Sequence, residues 1–572
     1  MKKNLFLLGC MTSLAMLSFQ SCGSEDEVAS TTNTKVVLMP SSVNNCVKEE
    51  VALLRKIAAK NDISSDFASD NPSEWKYDHL QIVWDTIPKS VEKTYIVKEL
   101  RGPEGKEKGI KDFTLTDDKE TFKHLERIDI KSAQLGKFGV ANVPLLRTII
   151  INGKSLDASN NDLTMVEVHD LPKLDSIHVE NFPKLIKSNT DDVFYISLYY
   201  QYPELSYVGI VNTGIKELKV EPNKPLKELV LSGNKDIASL TLEEVTLNDI
   251  TFTKETYPKL EVLNLKKLSG GKSKDLVISG LDNLTNVNLF HDNWLSKAEV
   301  TDCAKLKELI LSDCNLSEST CKLSDLPELT TFDIQGNNFS ALNIGELKKV
   351  KNLDLTNNKF TTTDNITLSA AAEKLPLQGN ENLQKVDLTP YKKLWIVNVN
   401  GYKRGKDVAD HNNPLPFANI NLNGLTDLES VRVNNNSLAS IFDGNTVYEN
   451  LQTLEAEYNA INPIGMVNIA KSIKSLNDLT LKLSFQTFAV DVKDNKTVDY
   501  SMVHNFFTTK SKNLKFDVTQ GEDEDADGCY TYNNGIFTFS KAGTYKLSSE
   551  SFNDILNYSV NEYKSKPFTI KE

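Results

Sequence analysis

The sequence predicts a mainly β solenoid with a helical N-terminal cap and a C-terminal β-sandwich. A six-residue pattern, L-x-x-[LIVF]-x-[LIVAF], recurs along most of the 572-residue chain, and a fixed repeat of this kind indicates a solenoid. One amphipathic segment precedes the repeats, and short runs of alternating apolar and polar residues follow them. Hydrophobic residues make up 40% of the chain, as in a typical folded protein.

The N-terminus has the pattern of an export signal. Lys2 and Lys3 precede an apolar stretch at residues 5–19, which is too short to remain in a membrane as a spanning helix. The sequence therefore predicts a protein whose body lies outside the cytoplasm.

The end of this apolar stretch, Phe-Gln-Ser-Cys, resembles a bacterial lipobox. Phe19 and Gln20 depart from the commonest lipobox residues and are similar to the looser boxes of Bacteroidetes lipoproteins. The resemblance implies a signal peptide at residues 1–21, cleavage before Cys22, and diacylation of the Cys22 sulfur. The expected partner of this group is the outer membrane, held through the lipid anchor.

Residues 22–45 are predicted to be a polar tether. Its acidic start at residues 25–27 resembles the surface-export signal of Bacteroidetes lipoproteins, with a plain acidic linker as the alternative. The resemblance implies an outer membrane lipoprotein exposed on the cell surface.

Charge and motif content exclude several function classes. The net charge is −13, whereas contacts with nucleic-acid phosphates need clustered Lys and Arg, so no nucleic-acid partner is expected. The sequence contains no G-x-G-x-x-G, Walker, G-x-S-x-G or H-E-x-x-H motif. We therefore expect no catalytic residues and no organic cofactor.

Residues 46–120 are predicted to form the N-terminal cap region. Between residues 46 and 60, Val51, Leu54 and Ile57 fall on one face of a helix. The open end of a solenoid exposes its core and needs such a cover. A helix followed by aromatic residues resembles the N-terminal cap of secreted leucine-rich repeat proteins.

The repeats are predicted to occupy residues 121–484. Their starting positions are Leu125, Leu146, Leu174, Leu205, Leu226, Leu260, Leu284, Leu306, Leu329, Val350, Leu383, Leu428, Leu451 and Leu476. The commonest spacings, 21 to 25 residues, resemble those of the leucine-rich repeat class. The motif leucines are expected to enter the core, and the residues between them to line a concave sheet.

A second, similar pattern lies about half a repeat later. It begins at Ile215, Ile237 and Phe339, and Leu394 is a further candidate. These segments are too short for helices, so the convex side is predicted to be strand or extended chain. This two-strand style resembles the leucine-rich repeats of Bacteroidetes surface proteins.

Residues 485–572 are predicted to form a small β-sandwich. Residues 536–547 are expected to be two strands joined through Gly543, and residues 566–570 a final strand. The Phe-Ser-Lys-Ala-Gly-Thr-Tyr segment at residues 539–545 resembles the penultimate strands of immunoglobulin-like modules in bacterial surface proteins.

An acidic loop in this segment suggests calcium as a cofactor. Asp523, Asp525 and Asp527, followed by Gly528, match the first half of a Ca²⁺-binding loop. Asn534 stands where such a loop has a bidentate Glu, and an acidic hairpin loop is the alternative.

The cysteine pattern does not indicate a disulfide framework. An Asn often follows three residues after the motif, as at Asn234, Asn337 and Asn358. Cys314 stands in this position, and we interpret it as structural. A bond from Cys314 to Cys303 or to Cys321 remains open in an oxidising compartment.

The candidate ligand-binding residues are outward positions of the repeat sheet. They predict an apolar patch and then an acidic stripe, formed by His178, Val211, Val230, Phe290, Ile310, Asp333 and Asp354. The alternative is an ordinary solvated sheet face.

The leading hypothesis is a non-enzymatic surface lipoprotein that binds a protein or glycan ligand. A polysaccharide-active parallel β-helix enzyme and a structural component of a surface glycan-uptake complex are the alternatives.

Overall fold

The computed structural model describes residues 38–90, 92–102, 109–116, 120–153, 162–188, 194–197, 202–222, 224–248, 250–270, 273–402, 415–475, 479–522 and 524–572. Met39–Glu572 form one compact unit, and of the other unit, Met1–Leu38, only Leu38 is described. Cys22 and the predicted signal peptide therefore lie outside the described residues. Within the described ranges, no helix has the length and apolar character needed to cross a membrane.

A helix forms at Lys48–Lys60, where the sequence predicts one, and its apolar face is buried. The helix is joined to the first strands by polar groups. Glu50 accepts a hydrogen bond from the Val97 N–H at 2.8 Å, and Asn61 accepts one from the Asp112 N–H at 2.9 Å. These bonds place the helix against the start of the solenoid, although its role as a cap stays a prediction.

Two long sheets carry most of the described chain. In spatial order, the seven-stranded sheet consists of Gln81–Thr86, Tyr95–Arg101, Arg127–Lys131, Thr148–Asn152, Ser176–Phe182, Tyr207–Thr213 and Glu228–Val230. The thirteen-stranded sheet consists of Phe194–Ser197, Glu217–Glu221, Ser239–Glu243, Val262–Lys266, Asn286–Phe290, Glu308–Ser312, Thr331–Asp333, Asn352–Asp354, Lys374–Pro376, Ile396–Asn398, Ser430–Arg432, Thr453–Glu455 and Thr480–Lys482. Neighbouring strands are parallel, apart from the first pair of the seven-stranded sheet, so the mainly β solenoid is confirmed.

Shorter sheets complete the coils. One four-stranded sheet comprises Asp112–Leu115, Lys137–Ala141, Met165–His169 and Lys187–Ser188, and a second comprises Thr251–Thr253, Asp275–Ser279, Lys297–Thr301 and Cys321–Ser324. Three strand pairs are Thr246–Leu247 with Ser269–Gly270, Leu342–Asn343 with Ile366–Thr367, and Lys385–Asp387 with Asn419–Asn421. Short 3-10 helices lie at Val43–Asn45, Ser64–Phe67, Pro72–Glu74 and Thr363–Asn365.

The leucine motif changes sheet along the chain, which the sequence did not predict. The motifs that start at Leu125 to Leu226 lie in the seven-stranded sheet, whereas those from Leu260 onward mostly lie in the thirteen-stranded sheet. The second pattern at Ile215 and Ile237 also forms strands of the thirteen-stranded sheet. Both strands of a coil alternate apolar and polar residues in the same way, so the pattern alone does not reveal which sheet a strand joins.

Two assignments within the repeats are wrong. The motif at Leu383 forms a strand of a separate two-stranded sheet, and the motif at Leu394 lies in the thirteen-stranded sheet. A strand at Lys374–Pro376 supplies the missing coil. The apparent insertion between Val350 and Leu383 is therefore absent, whereas a longer connection remains between the strands Ile396–Asn398 and Ser430–Arg432.

The second side of the last coil departs from the prediction of strand or extended chain. A helix occupies Pro463–Ser472, and its N-cap residue Asn462 accepts a hydrogen bond from the Gly465 N–H at 2.8 Å. A proline at the first helical position and an Asn cap together favour a helix start at this point.

The Asn that follows the motif joins consecutive coils. The Asn337 side-chain amide donates to the carbonyl oxygens of Leu311, in the preceding coil, at 2.6 Å and of Ile334 at 2.9 Å. Its oxygen accepts from the N–H groups of Cys314 and Leu316. Equivalent amides belong to Asn234, Asn358, Asn380, Asn459 and Gln486. These buried amides satisfy backbone groups that the turn would otherwise leave unpaired. We call this series of side chains, one per coil, the amide ladder.

The described C-terminal segment contains two small sheets and two helices. One sheet contains Gln486–Phe488, Asp517–Gln520, Glu524–Asp525, Gly543–Ser548, Tyr563–Ser565 and Phe568–Ile570, and the other contains Thr497–Asp499, Tyr530–Asn533 and Ile536–Phe539. The helices are Ser501–Thr509 and Phe552–Leu556. The predicted strands are present, while the immunoglobulin-like assignment and the domain boundaries stay predictions.

Candidate ligand-binding surfaces

The candidate residues lie on two different sheets. His178, Val211 and Val230 belong to the seven-stranded sheet. The other four, Phe290, Ile310, Asp333 and Asp354, belong to the thirteen-stranded sheet. The structure therefore divides the predicted continuous patch into two separate surfaces.

On the seven-stranded sheet, His178 lies across a glycine of the next strand. Its Nδ1 is 3.0 Å from the Tyr207 hydroxyl, and the two rings stack with their centroids 6.1 Å apart. A Cβ placed on Gly209 would lie 2.1 Å from His178 Nδ1, so the imidazole occupies the space that a side chain would fill. Burial raises the pKa of Tyr207. Sequence reasoning placed Gly209 on the outward face but missed Tyr207 and the contact with His178, because that contact depends on the register of two strands.

The valines of this sheet offer little apolar surface. Val211 is only 9% exposed, and Val230 is half-buried in the last strand of the sheet. The surface around His178 is therefore mainly a polar and aromatic site.

On the thirteen-stranded sheet, Phe290 is an exposed aromatic side chain. It is 37% exposed, and its ring centroid is 4.0 Å from that of His291. His291 adopts a positive φ of 61° and places Nδ1 3.3 Å from an Asp313 carboxylate oxygen. Ile310 is half-buried in the adjacent strand, beside Asn288. This sheet therefore presents an aromatic group diagonally across from an aliphatic one on the adjacent strand, with Ser312 directly opposite Phe290.

Asp333 and Asp354 lie side by side in neighbouring strands. Each carboxylate accepts a hydrogen bond from the N–H two residues ahead, from Gln335 at 2.8 Å and from Thr356 at 2.9 Å. Burial is the main cause that raises the pKa of each carboxyl group, and the neighbouring Asp354 charge adds to the effect at Asp333. The predicted acidic stripe is therefore a pair of carboxylates, each of which accepts a hydrogen bond from a nearby backbone N–H.

A charged cluster further along the same sheet was not among the predicted site residues. Glu455 accepts from Lys482 at 2.9 Å and lies 3.6 Å from Arg432. The three residues occupy equivalent positions in adjacent strands. One carboxylate therefore lies between two cationic side chains on this part of the sheet.

Of the predicted calcium ligands, Asp523 lies outside the described residues. Asp525 and Asp527 are exposed, and the Asp527 N–H donates to Asp525 Oδ1 at 3.1 Å. Among the side chains that the structure describes, no group of three or more His, Cys, Asp or Glu residues is suited to hold a metal. Calcium binding by this loop stays a prediction.

The cysteines within the described ranges are free thiols. Cys303 and Cys314 are fully buried, and Cys321 is partly exposed. The Cys314 thiol lies 3.2 Å from the Ser312 carbonyl oxygen, in the position that Asn occupies in other coils. The Cys314 thiol is therefore a small buried group that takes the place of an Asn side chain in the amide ladder.

Comparisons with known proteins give only structural similarities. No protein family profile and no curated protein matches the sequence. The functional domain of InlJ from Listeria monocytogenes is 16% identical, with a TM-score of 0.38, covering 76% of this chain and 86% of that one. YopM from Yersinia enterocolitica is 15% identical, with a TM-score of 0.30, covering 66% of this chain and 88% of that one. An internalin, InlF, from Listeria monocytogenes is 15% identical, with a TM-score of 0.28, covering 51% of this chain and 77% of that one.

Proposed function

We propose that this protein is a non-enzymatic cell-surface lipoprotein that binds a protein or glycan ligand through the outer face of the thirteen-stranded sheet. The observation that carries the proposal is the exposure of Phe290, 37%, with Ile310 diagonally across on the adjacent strand of a regular sheet. Exposed apolar groups with a polar surround are typical of partner sites. An aromatic ring can contact a protein side chain or the apolar face of a sugar ring.

The sheet holds these groups in fixed positions before a ligand arrives. Neighbouring strands lie about 4.8 Å apart, so equivalent side chains form rows across the coils. The ladder amides, such as Asn337, fix each coil against the one before it. Because the side chains are already ordered, binding costs less conformational entropy than it would on a flexible loop.

The cell-surface location depends on Cys22 and the acidic tract after it. Each buried CH₂ of an acyl chain contributes about 0.8 kcal/mol to membrane binding, so several chains hold a protein firmly. A lipid on Cys22 would leave the described body outside the membrane, where its sheets can reach a ligand. Protease treatment of intact cells tests the location, because a surface-exposed protein is degraded and an inward-facing one is protected.

A second candidate function is cleavage of a polysaccharide. It is favoured by the adjacent carboxylates of Asp333 and Asp354, whose pKa values are raised by burial. Hydrogen bonds from the backbone already engage both groups, which favours a structural role. Incubation of residues 23–572 with purified polysaccharides tests this function, and release of shorter products would support it.

The leading proposal is tested by a binding screen of residues 23–572 against a glycan array and a panel of extracellular proteins. For any ligand found, Phe290→Asp and Ile310→Asp should each reduce affinity at least about tenfold, because a charge would enter the apolar contact. Thermal unfolding of both variants checks that they fold. Unchanged affinity in both folded variants would show that this face is not the binding surface.

A further inference from the structure

On the second side of the coils, the sheet is interrupted between two consecutive coils. Strand Cys321–Ser324 ends the four-stranded sheet, and strand Leu342–Asn343 begins the next two-stranded sheet. In the same two coils, Thr331–Asp333 and Asn352–Asp354 remain paired in the thirteen-stranded sheet. All of residues 273–402 are described. On this second side the two coils are joined by the bonds from Ser340 to Glu318, and beyond those bonds their strands are unpaired. We call the space between strands Cys321–Ser324 and Leu342–Asn343 the strand gap.

One edge of the strand gap presents free main-chain groups. The Ala298 N–H donates to the Thr320 carbonyl at 2.9 Å, and the Asp302 N–H donates to the Ser324 carbonyl at 3.2 Å. Residues of a parallel strand face its two neighbours alternately, so the N–H and C=O of Leu323 point into the gap. Within the continuous range 273–402, neither group has a hydrogen-bond partner. This edge can therefore pair with another strand.

The opposite edge has the same property. The Ile344 N–H donates to the Thr367 carbonyl at 2.8 Å, which orients the intervening main-chain groups of Asn343 toward the gap. The two edges belong to parallel strands of successive coils. A single extended chain placed between them could bond to both, and would make the two short sheets continuous.

The side chains at the gap belong to rows that are buried in the preceding coil and become partly exposed at the last strand of the sheet. Val300 is fully buried, and its neighbour in the next coil, Leu323, is partly exposed. Ala298 is also buried, whereas its neighbour Cys321 is partly exposed. These exposures arise because no strand covers the last coil of this sheet. A chain in the gap would continue the rows if every second side chain were small or branched and apolar.

A cavity of about 610 Å³ includes the gap, extends past Leu342–Asn343 to Asp364 and Thr367 of the following coil, and has an apolar floor. The floor is formed by Phe332, Phe339, Leu342 and Ile344, all of them buried. Charged groups, Lys322 and Glu318 among them, lie at the rim. We propose that the strand gap binds an extended polypeptide segment by strand addition, with alternate apolar side chains against this floor. Main-chain pairing provides the affinity in this binding mode, and the alternate side chains provide the specificity.

A synthetic peptide that copies residues 296–302, Ser-Lys-Ala-Glu-Val-Thr-Asp, is a suitable probe. It has the sequence of the strand Lys297–Thr301, which pairs with the edge of Cys321–Ser324 that faces away from the gap. We expect the fluorescent peptide to bind residues 23–572 saturably. Copies N-methylated at alternate residues, in both possible phases, remove the pairing N–H groups while keeping the side chains. The phase that blocks pairing should bind at least about tenfold more weakly.

The matched variant is Leu323→Pro, which deletes the N–H that points into the gap. Proline is tolerated in an edge strand when its nitrogen faces away from the neighbouring strand. We expect this variant to lose peptide binding about tenfold, and Phe290→Asp, on the outer face of the thirteen-stranded sheet, to retain it. The second result separates this proposal from the proposed function, on which it does not depend. Absence of saturable binding, equal binding of both N-methylated peptides and the parent, or full binding by folded Leu323→Pro would each overturn the proposal. If Leu323→Pro does not fold, the comparison of the peptides on the unmodified protein decides alone.

Discussion

Asp292 Oδ1 accepts a hydrogen bond from the Leu268 N–H at 2.6 Å, with the Asp292 residue only 1% exposed. Asp292 stands in the position of the coil that Asn337 occupies further along the chain. It is thus a carboxyl group in a ladder otherwise built largely from amides. Burial, its largest influence, raises the pKa of Asp292 to about 6.

We expect Asp292→Asn to stabilise the protein at pH 7.5. The raised pKa means that the folded state binds the proton more tightly than the unfolded state, so stability increases as the pH falls through 6 and the gain is complete below the unfolded pKa of about 3.9. Ionised Asp292 therefore costs up to about 3 kcal/mol at pH 7.5. An Asn at this position carries no charge and can donate to neighbouring carbonyls.

Urea unfolding between pH 5 and 8 measures this effect. Asp292→Asn should raise the unfolding midpoint at pH 7.5 and flatten its dependence on pH. Asp302→Asn, at an exposed position, is the control and should change neither. A variant less stable than the parent at pH 7.5 would show that the carboxylate is favourable where it stands.

Loss of a ladder amide should be strongly destabilising. Asn337→Ala would leave the backbone groups that the amide now engages without partners in a buried site. Each unsatisfied buried group costs about 1 to 3 kcal/mol, so we expect a total loss of at least about 3 kcal/mol. Asn352→Ala, at a half-exposed outward position of the next coil, should cost less than about 0.5 kcal/mol. Equal midpoints of the two variants in urea would contradict the structural role of the ladder.

Gly209→Ala should displace the His178 ring from its contact with Tyr207. The new Cβ would lie 2.1 Å from His178 Nδ1, and the side chain can respond by rotating away. We expect a modest loss of stability, about 1 kcal/mol, together with a changed ¹H shift of the His178 ring. In a His178→Ala background the same glycine substitution should cost less. An additive double-mutant cycle would show that the two residues are not coupled.

Much of the fold was predictable because local periodicity and burial agree. The buried face of the helix Lys48–Lys60 and the core positions of the motif strands follow directly from the spacing of apolar residues. The amide ladder was visible as an Asn three residues after the motif, although its bonds to the preceding coil were not. Those bonds depend on how coils stack, which one repeat does not encode.

The errors have a common physical origin. The two strands of a coil bury the same alternate positions, so neither the change of sheet after Leu226 nor the exchange between Leu383 and Leu394 could be derived from the pattern. The candidate site was divided for the same reason. Phe290 is an outward residue, as the sequence predicts. Gly209 has no side chain from which a contact could be predicted, and its role in leaving space for the His178 ring is visible only in the structure.

The affinity of the ligand found by the screen for Phe290→Asp and for Val230→Asp tests the central claim most directly. The two substitutions introduce the same charge on different sheets. Binding through the thirteen-stranded sheet predicts at least about tenfold weaker affinity for Phe290→Asp and unchanged affinity for Val230→Asp. The reverse result, weak binding by Val230→Asp and unchanged binding by Phe290→Asp, would contradict the claim and assign the ligand to the seven-stranded sheet.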